Sequence, residues 1–112
     1  MNSQEYMEYH AKMCQRMIEI TKQKNADYTG ASGDPFKNFK MVEVFGVSSV
    51  EQGFFTRMTD KFARISTFIQ KGVFQVKDES IEDTLLDFAN YCILLSGYIK
   101  SKKSSSAPCE PK

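Results

Sequence analysis

Apolar residues recur at intervals of three and four along most of this chain, which is the spacing of amphipathic helices. Breakers and capping residues divide the pattern into four segments. The predicted helices run from Ser3 to about Lys24, from Pro35 to about Phe45, from the capping serines at 48 and 49 to about Lys71, and from Ser80 onward. VFGV and GVFQV are too short to support a sheet. The pattern predicts an all-α fold, a compact bundle of three long helices plus one short helix.

The last helix is apolar over much of its circumference. Six residues form one stripe, and three form a second stripe beside it: Ile81, Leu85, Phe88, Cys92, Leu95 and Ile99, then Leu86, Ala89 and Ile93. The third helix has one stripe that is expected to be buried: Phe54, Met58, Phe62, Ile65 and Ile69. A helix with so wide an apolar surface touches two neighbours or another subunit. We therefore expect a homo-oligomer.

The ends of the elements carry recognisable signals. Asn2 with Glu5 predicts a capping box, and two overlapping boxes open the third helix at positions 48 to 52. The stretch NADYTGASGDP reads as a loop, with Asp34 capping a short helix that begins at Pro35. Residues 1–100 are expected to form a single helical domain, and residues 101–112 a disordered tail.

Length and charge limit the possible functions. The 112 residues suit one domain, and the net charge of +1 provides no overall positive field for direct nucleic-acid binding. No apolar run approaches the roughly 20 residues that span a bilayer, and no secretory signal is visible. The 3 cysteines form neither a disulfide framework nor a zinc motif. We expect a cytoplasmic protein without a membrane partner.

Two charged stripes are the clearest candidate chemistry. Glu79, Asp83, Asp87 and Asn90 share one face of the last helix, and Arg57, Lys61 and Arg64 share one face of the helix before it. Acidic side chains at this spacing could hold Mg²⁺, which prefers oxygen ligands, and the basic stripe could hold phosphates. Either stripe could equally be a solvated helix surface with routine ion pairs.

A third group of candidates lies near the predicted loop. Lys24, Asp27 and Tyr28 combine a cation, a carboxylate and an aromatic ring within five positions. Tyr28 or Phe39 could stack on a nucleobase. Turn formation alone also explains Asn, Asp and Gly in such a stretch.

Four segments resemble a known family: KNADY, PFKNF, RMTDKFARI and ESIEDTLLDFANYCILL, together covering about Lys24 to Leu95. They are similar to the small nucleotide-modification-associated domain, the first of that name, which is common in bacteriophage and prophage genomes. The same segments are distantly similar to the all-α nucleotide pyrophosphohydrolases of the MazG and dUTPase type. Those enzymes hold Mg²⁺ with an E-x-x-E pattern followed by E-x-x-D. Here Glu79 and Glu82 match the first half, while the next acids, Asp83 and Asp87, do not form the second.

The resemblance implies a nucleotide or a nucleotide-derived small molecule as ligand, and leaves three hypotheses. One is a Mg²⁺-dependent pyrophosphohydrolase in which Asp60, Glu82 and Asp83 are catalytic and Glu79, Asp83 and Asp87 hold the metal. Its ligand-binding residues would be Lys24, Asp27, Tyr28, Phe39, Arg57, Lys61, Arg64 and Asn90. The second is a non-catalytic phage sponge that sequesters a cyclic or ADP-ribose-type immune signal in the host cytoplasm, an anti-defence role. The third is a helical module that binds another protein.

Overall fold

The computed structural model describes residues 1–29, 33–72 and 80–105, without the side chains of 26–29 and 104–105. It contains four helices: α1 (Ser3–Thr29), α2 (Lys37–Val44), α3 (Val50–Lys71) and α4 (Ile81–Ser105). No strand occurs within these ranges, which confirms the all-α prediction. Within the same ranges, no helix is both long enough and apolar enough to cross a lipid bilayer.

The chain divides into two compact units, Met1–Asn38 and Phe39–Lys112. The first unit is dominated by α1, which begins with the predicted capping box. The backbone N–H of Asn2 donates to Glu5 Oε1, and the N–H of Glu5 donates to Asn2 Oδ1, each at 2.8 Å. α1 continues to Thr29 rather than ending near Lys24, because the sequence offers no breaker before Gly30.

A turn at the end of the first unit corrects the expected start of α2. Asp34 Oδ1 accepts a hydrogen bond from the Phe36 N–H at 2.9 Å, and the Asp34 carbonyl accepts from the Lys37 N–H at 3.2 Å. Pro35 therefore lies in the turn, and the helix begins at Lys37. The Asp34 side chain organises this turn by bonding to the backbone two residues on.

In the second unit, α3 has well-defined ends. Ser49 accepts from the N–H of Gln52, and the Gln52 side chain accepts from the N–H of Ser49, so the second of the two predicted boxes is the one that forms. At the other end Gly72 adopts the left-handed conformation (φ +80°), and its N–H donates to the Phe68 carbonyl at 2.7 Å. Only glycine enters this conformation without steric cost.

The core of the second unit lies where α2, α3 and α4 contribute Phe39, Val50, Phe54 and Leu86, all buried. The rings of Phe39 and Phe54 stack with centroids 3.9 Å apart. Gly53 lets the Val42 side chain of α2 approach α3 closely, because a Cβ there would lie 3.0 Å from Val42 Cγ2. Thr84 is also buried, and its hydroxyl is satisfied by donating to the Ser80 carbonyl at 3.3 Å.

The sides of α3 and α4 that are buried differ from those that the apolar stripes predicted. Leu85, Cys92 and Ile99 of the expected buried stripe are exposed, as are Phe62 and Ile69 of α3. α4 is apolar on nearly every side, so periodicity alone could not determine which side meets α3. Polar partners on the two helices resolve this choice, because the side of α4 that carries Asp87 and Tyr91 is the one that bonds to α3.

The far end of the α3–α4 pair is joined by an exposed ion pair. Lys102 Nζ lies 2.6 Å from Glu51 Oε2. This hydrogen bond to Lys102 lowers the pKa of the Glu51 carboxyl, and the same bond raises the pKa of the Lys102 ammonium. Lys102 lies within α4, which continues as a helix to Ser105 and so enters the segment expected to be a disordered tail. Residues 106–112 lie outside the described ranges.

Candidate functional site at the α3–α4 interface

Arg57 contacts two aromatic residues in the candidate site, Tyr91 and Phe39. Its Nη1 donates to the Tyr91 hydroxyl at 3.2 Å, and its guanidinium carbon lies 5.9 Å from the centre of the Phe39 ring. The ring attracts the cation, and the phenol fixes one of its N–H groups. Arg57 remains exposed to solvent, so its other donors are accessible to an anionic ligand.

One helical turn away, Lys61 meets Asp87. Lys61 Nζ lies 3.3 Å from Asp87 Oδ2, and both side chains are mostly buried. Lys61 follows Arg57 by four residues while Asp87 precedes Tyr91 by four, so the two contacts form successive rungs of an antiparallel helix pair. The structure therefore brings the predicted basic stripe and the predicted acidic stripe together at the Lys61–Asp87 contact.

Asn90 supplies the least satisfied group in this region. Its side-chain Nδ2 is buried and has no hydrogen-bond partner among the described residues. A buried donor without an acceptor costs about 1–3 kcal/mol, so such atoms are rare unless a ligand or ordered water completes them. Asn90 lies three residues after Asp87 and next to Tyr91 in sequence. We refer to Arg57, Lys61, Asp87, Asn90 and Tyr91 as the interface cluster.

Phe39, a predicted base-stacking residue, is buried beneath this cluster. Its ring stacks on Phe54 and meets the edge of Tyr91, with centroids 6.2 Å apart and planes at 88°. Together with the Arg57 contact, these neighbours make Phe39 a support for the cluster. Tyr91 is an aromatic residue of the site that was not among the ligand-binding residues predicted from the sequence. Its position four residues after Asp87, a member of the acidic stripe, was the available signal.

The remaining acidic candidates lie around the start of α4 and on α3. The Asp83 side chain is exposed, and its backbone N–H donates to Ser80 Oγ at 3.0 Å. Glu82 is partly exposed beside it, and Asp60 lies 4.0 Å from Arg64 on α3. Glu79 falls outside the described residues. Within the described part of the chain, no group of three or more His, Cys, Asp or Glu side chains is arranged to hold a metal ion.

The candidates from the predicted loop lie in the first unit. Lys24, Asp27 and Tyr28 are all on α1, whereas Asp27 and Tyr28 were expected in a loop. Lys24 is partly buried, and the side chains of Asp27 and Tyr28 are outside the described set. The interface cluster therefore comes from α3 and α4 of the second unit, whereas Lys24 belongs to the first unit.

The class of protein follows from comparison with known families. Residues 24–96, more than half of the chain, match the family described as nucleotide modification associated domain 1. The chain belongs to this family, as the four matching segments predicted. Comparison with curated proteins and with solved structures gives no match.

Proposed function

We propose that the protein binds a phosphorylated nucleotide at the interface cluster. The observation that carries this proposal is the buried, unpartnered Nδ2 of Asn90 on the same helix face as the Lys61–Asp87 and Arg57–Tyr91 contacts. A buried donor without an acceptor, on the helix whose Asp87 and Tyr91 contact Lys61 and Arg57, suits a ligand rich in oxygen acceptors. Membership of a nucleotide-associated family supports a nucleotide as that ligand.

Each group has a distinct proposed role. Arg57 offers planar paired donors for phosphate oxygens, and Lys61 and Arg64 add positive charge on the same face of α3. Asn90 donates to a phosphate, sugar or base oxygen, which satisfies its buried amide. Tyr91 offers a ring for the base and a hydroxyl already oriented by Arg57. Lys24, Asp27 and Tyr28 remain proposed ligand residues in the first unit.

A hydrolytic version of this function adds a Mg²⁺ ion. Asp83 and Asp87 lie one turn apart on α4 and have the carboxylate chemistry that Mg²⁺ prefers, and Glu79 would be the third protein ligand. The bound ion would supply a polarised water and neutralise phosphate charge. Asp60, Glu82 and Asp83 are the carboxylates proposed to orient that water in a MazG-like pyrophosphohydrolase.

A non-catalytic sponge for a cyclic or ADP-ribose-type nucleotide is the second candidate. The Lys61–Asp87 contact favours it, because Asp87 is already neutralised by a lysine and needs no metal to offset its charge. In this version the protein would act in the host cytoplasm as a phage anti-defence factor and release its ligand unaltered. For either version we propose a compact homo-oligomer as the working form.

The test is a thermal-shift screen of nucleoside triphosphates, cyclic nucleotides and ADP-ribose, with and without Mg²⁺, followed by calorimetry on any hit. We expect Lys61→Gln to weaken binding by about tenfold or more, and Lys71→Gln, a change of the same type on the same helix, to leave it unaltered. Chromatography of the recovered ligand separates the two versions: pyrophosphate release indicates hydrolysis, and intact ligand indicates sequestration.

Two results would overturn the proposal. One is the absence of any nucleotide that raises the melting temperature of the folded protein. The other is binding that survives charge reversal at Arg57, Lys61 and Arg64, which would favour the protein-interaction module. Circular dichroism of each variant confirms that a loss of binding is not a loss of fold.

A further inference from the structure

A regular row of large apolar side chains lies exposed on α3. Phe55, Phe62 and Ile69 are spaced seven residues apart, so they share one side of the helix. Their exposed fractions are 70%, 61% and 75%. Single exposed apolar residues are ordinary, but three in register over two heptads form a continuous surface.

A second row runs along α4 with the same spacing. Leu85 and Ile99 are 46% and 43% exposed, and the exposed Cys92 lies midway between them. The two rows are adjacent because the Phe62 ring lies 6.4 Å, centroid to centroid, from Phe88. Phe88 is one turn from both Leu85 and Cys92. We refer to these two rows as the outer face of the α3–α4 pair.

Between Phe55 and Ile69 on α3, and between Leu85 and Ile99 on α4, the outer face lacks the charges that a solvated helix surface normally carries. From Thr84 to Ile99 the only charged residue is Asp87, which bonds to α3 on another side of the helix. On α3, all charged residues except Glu51 share the side of Arg57, Lys61 and Arg64. Depletion of charge combined with aromatic residues is the composition of the buried centre of a protein interface.

We propose that the outer face is where two copies of this chain pack together, each contributing α3 and α4 to a four-helix arrangement. The large apolar side chains offer about 500 Å², at the upper end of what a monomer leaves exposed. The small uncharged residues between them extend the patch toward the roughly 800 Å² per partner that a stable interface buries.

A second copy fits this face better than a partner of another kind for two reasons. A two-fold dimer places the same surface on both sides, and an uncharged face meets itself without like-charge repulsion. The face also alternates large and small positions, with Ser66 one turn after Phe62 and Ser96 one turn after Cys92. Helices with this alternation can interdigitate across a two-fold axis. The interface cluster is not needed for this packing, so the proposal stands independently of nucleotide binding.

The test is sedimentation of the full chain from micromolar to millimolar concentration. We expect a dimer whose self-association weakens about a hundredfold or more in Phe55→Glu and in Ile69→Glu, because each places a carboxylate in a desolvated apolar contact. The matched control is Phe45→Glu: Phe45 is as exposed as Phe55 but lies just after α2. This variant should dimerise like the parent protein.

Alkylation of Cys92 gives a second readout that introduces no charge into the outer face. In a chain with Cys14→Ser and Cys109→Ser, the rate of reaction with iodoacetamide should fall as protein concentration rises and the face becomes covered. A protein that sediments as a monomer throughout, a dimer that tolerates both glutamates, or a concentration-independent alkylation rate would overturn the proposal.

Discussion

The Lys61–Asp87 contact permits a quantitative test of the α3–α4 interface by a double-mutant cycle. Nζ and Oδ2 are 3.3 Å apart, and the two side chains are 18% and 26% exposed. At an effective dielectric constant of about 20, two unit charges at this distance attract by about 5 kcal/mol before desolvation is subtracted. Desolvation removes most of this energy, so we expect a coupling free energy of about 1–2 kcal/mol.

The chain contains its own control pair. Asp60 and Arg64 are 4.0 Å apart, and their side chains are 65% and 39% exposed. Water screens this pair, so its coupling should stay below about 0.5 kcal/mol. Both cycles are measured by urea unfolding at one fixed protein concentration, because a dimer would make stability concentration-dependent.

The expected pattern is specific. Lys61→Met and Asp87→Leu should each reduce the free energy of unfolding by about 1–3 kcal/mol, because each leaves one mostly buried charge without its partner. The double variant should recover part of that loss. The coupling should persist in high salt, whereas that of the control pair should fade. Equal coupling in the two pairs would refute the view that this contact is a desolvated link between the helices.

Three further predictions concern the second unit. Phe54→Ala should lower the free energy of unfolding by about 3–5 kcal/mol, measured by urea titration, because it removes a fully buried ring. Ser49→Ala should cost about 1 kcal/mol in the same assay by removing the capping bond to Gln52, while Ser49→Gly should cost less. Because the folded-state pKa of Glu51 is lowered, the stability contributed by its pair with Lys102 is complete above the carboxyl's ordinary value of 4.5 and is lost as pH falls through the folded pKa. Acid titrations of the parent and Lys102→Gln proteins should therefore converge at low pH.

The helices could be predicted from the sequence because local signals define them. The capping boxes at Asn2 and Ser49 and the glycine stop at Gly72 depend on residues within a few positions of each other. The end of α1 was misplaced because Lys24 and Asn25 resemble a helix terminus, yet helical geometry remains favourable until Gly30. Local chemistry thus predicts where a helix exists better than where it ends.

The site was only partly predictable, because it depends on how α3 and α4 rotate toward each other. Lys61 and Asp87 were both selected from sequence, but their contact depends on which side of α4 faces α3. The apolar stripes include both buried residues such as Leu86 and exposed ones such as Leu85, so they did not define that side, and only the structure identifies Tyr91 as the partner of Arg57. The unpartnered amide of Asn90 has no sequence signature, since an asparagine on a helix is usually solvated.

The interface cluster has a consequence for how this family can diversify. Lys61, Asp87, Arg57 and Tyr91 cross-link two helices and are also the groups proposed to meet the ligand. A substitution that retunes ligand preference at these positions therefore also weakens the scaffold, and a marginal domain tolerates few such losses. Family members that acquire a new ligand should carry stabilising substitutions elsewhere, for example around Phe39 and Phe54. Variants that lack such substitutions should accumulate poorly in the cell before they lose ligand binding.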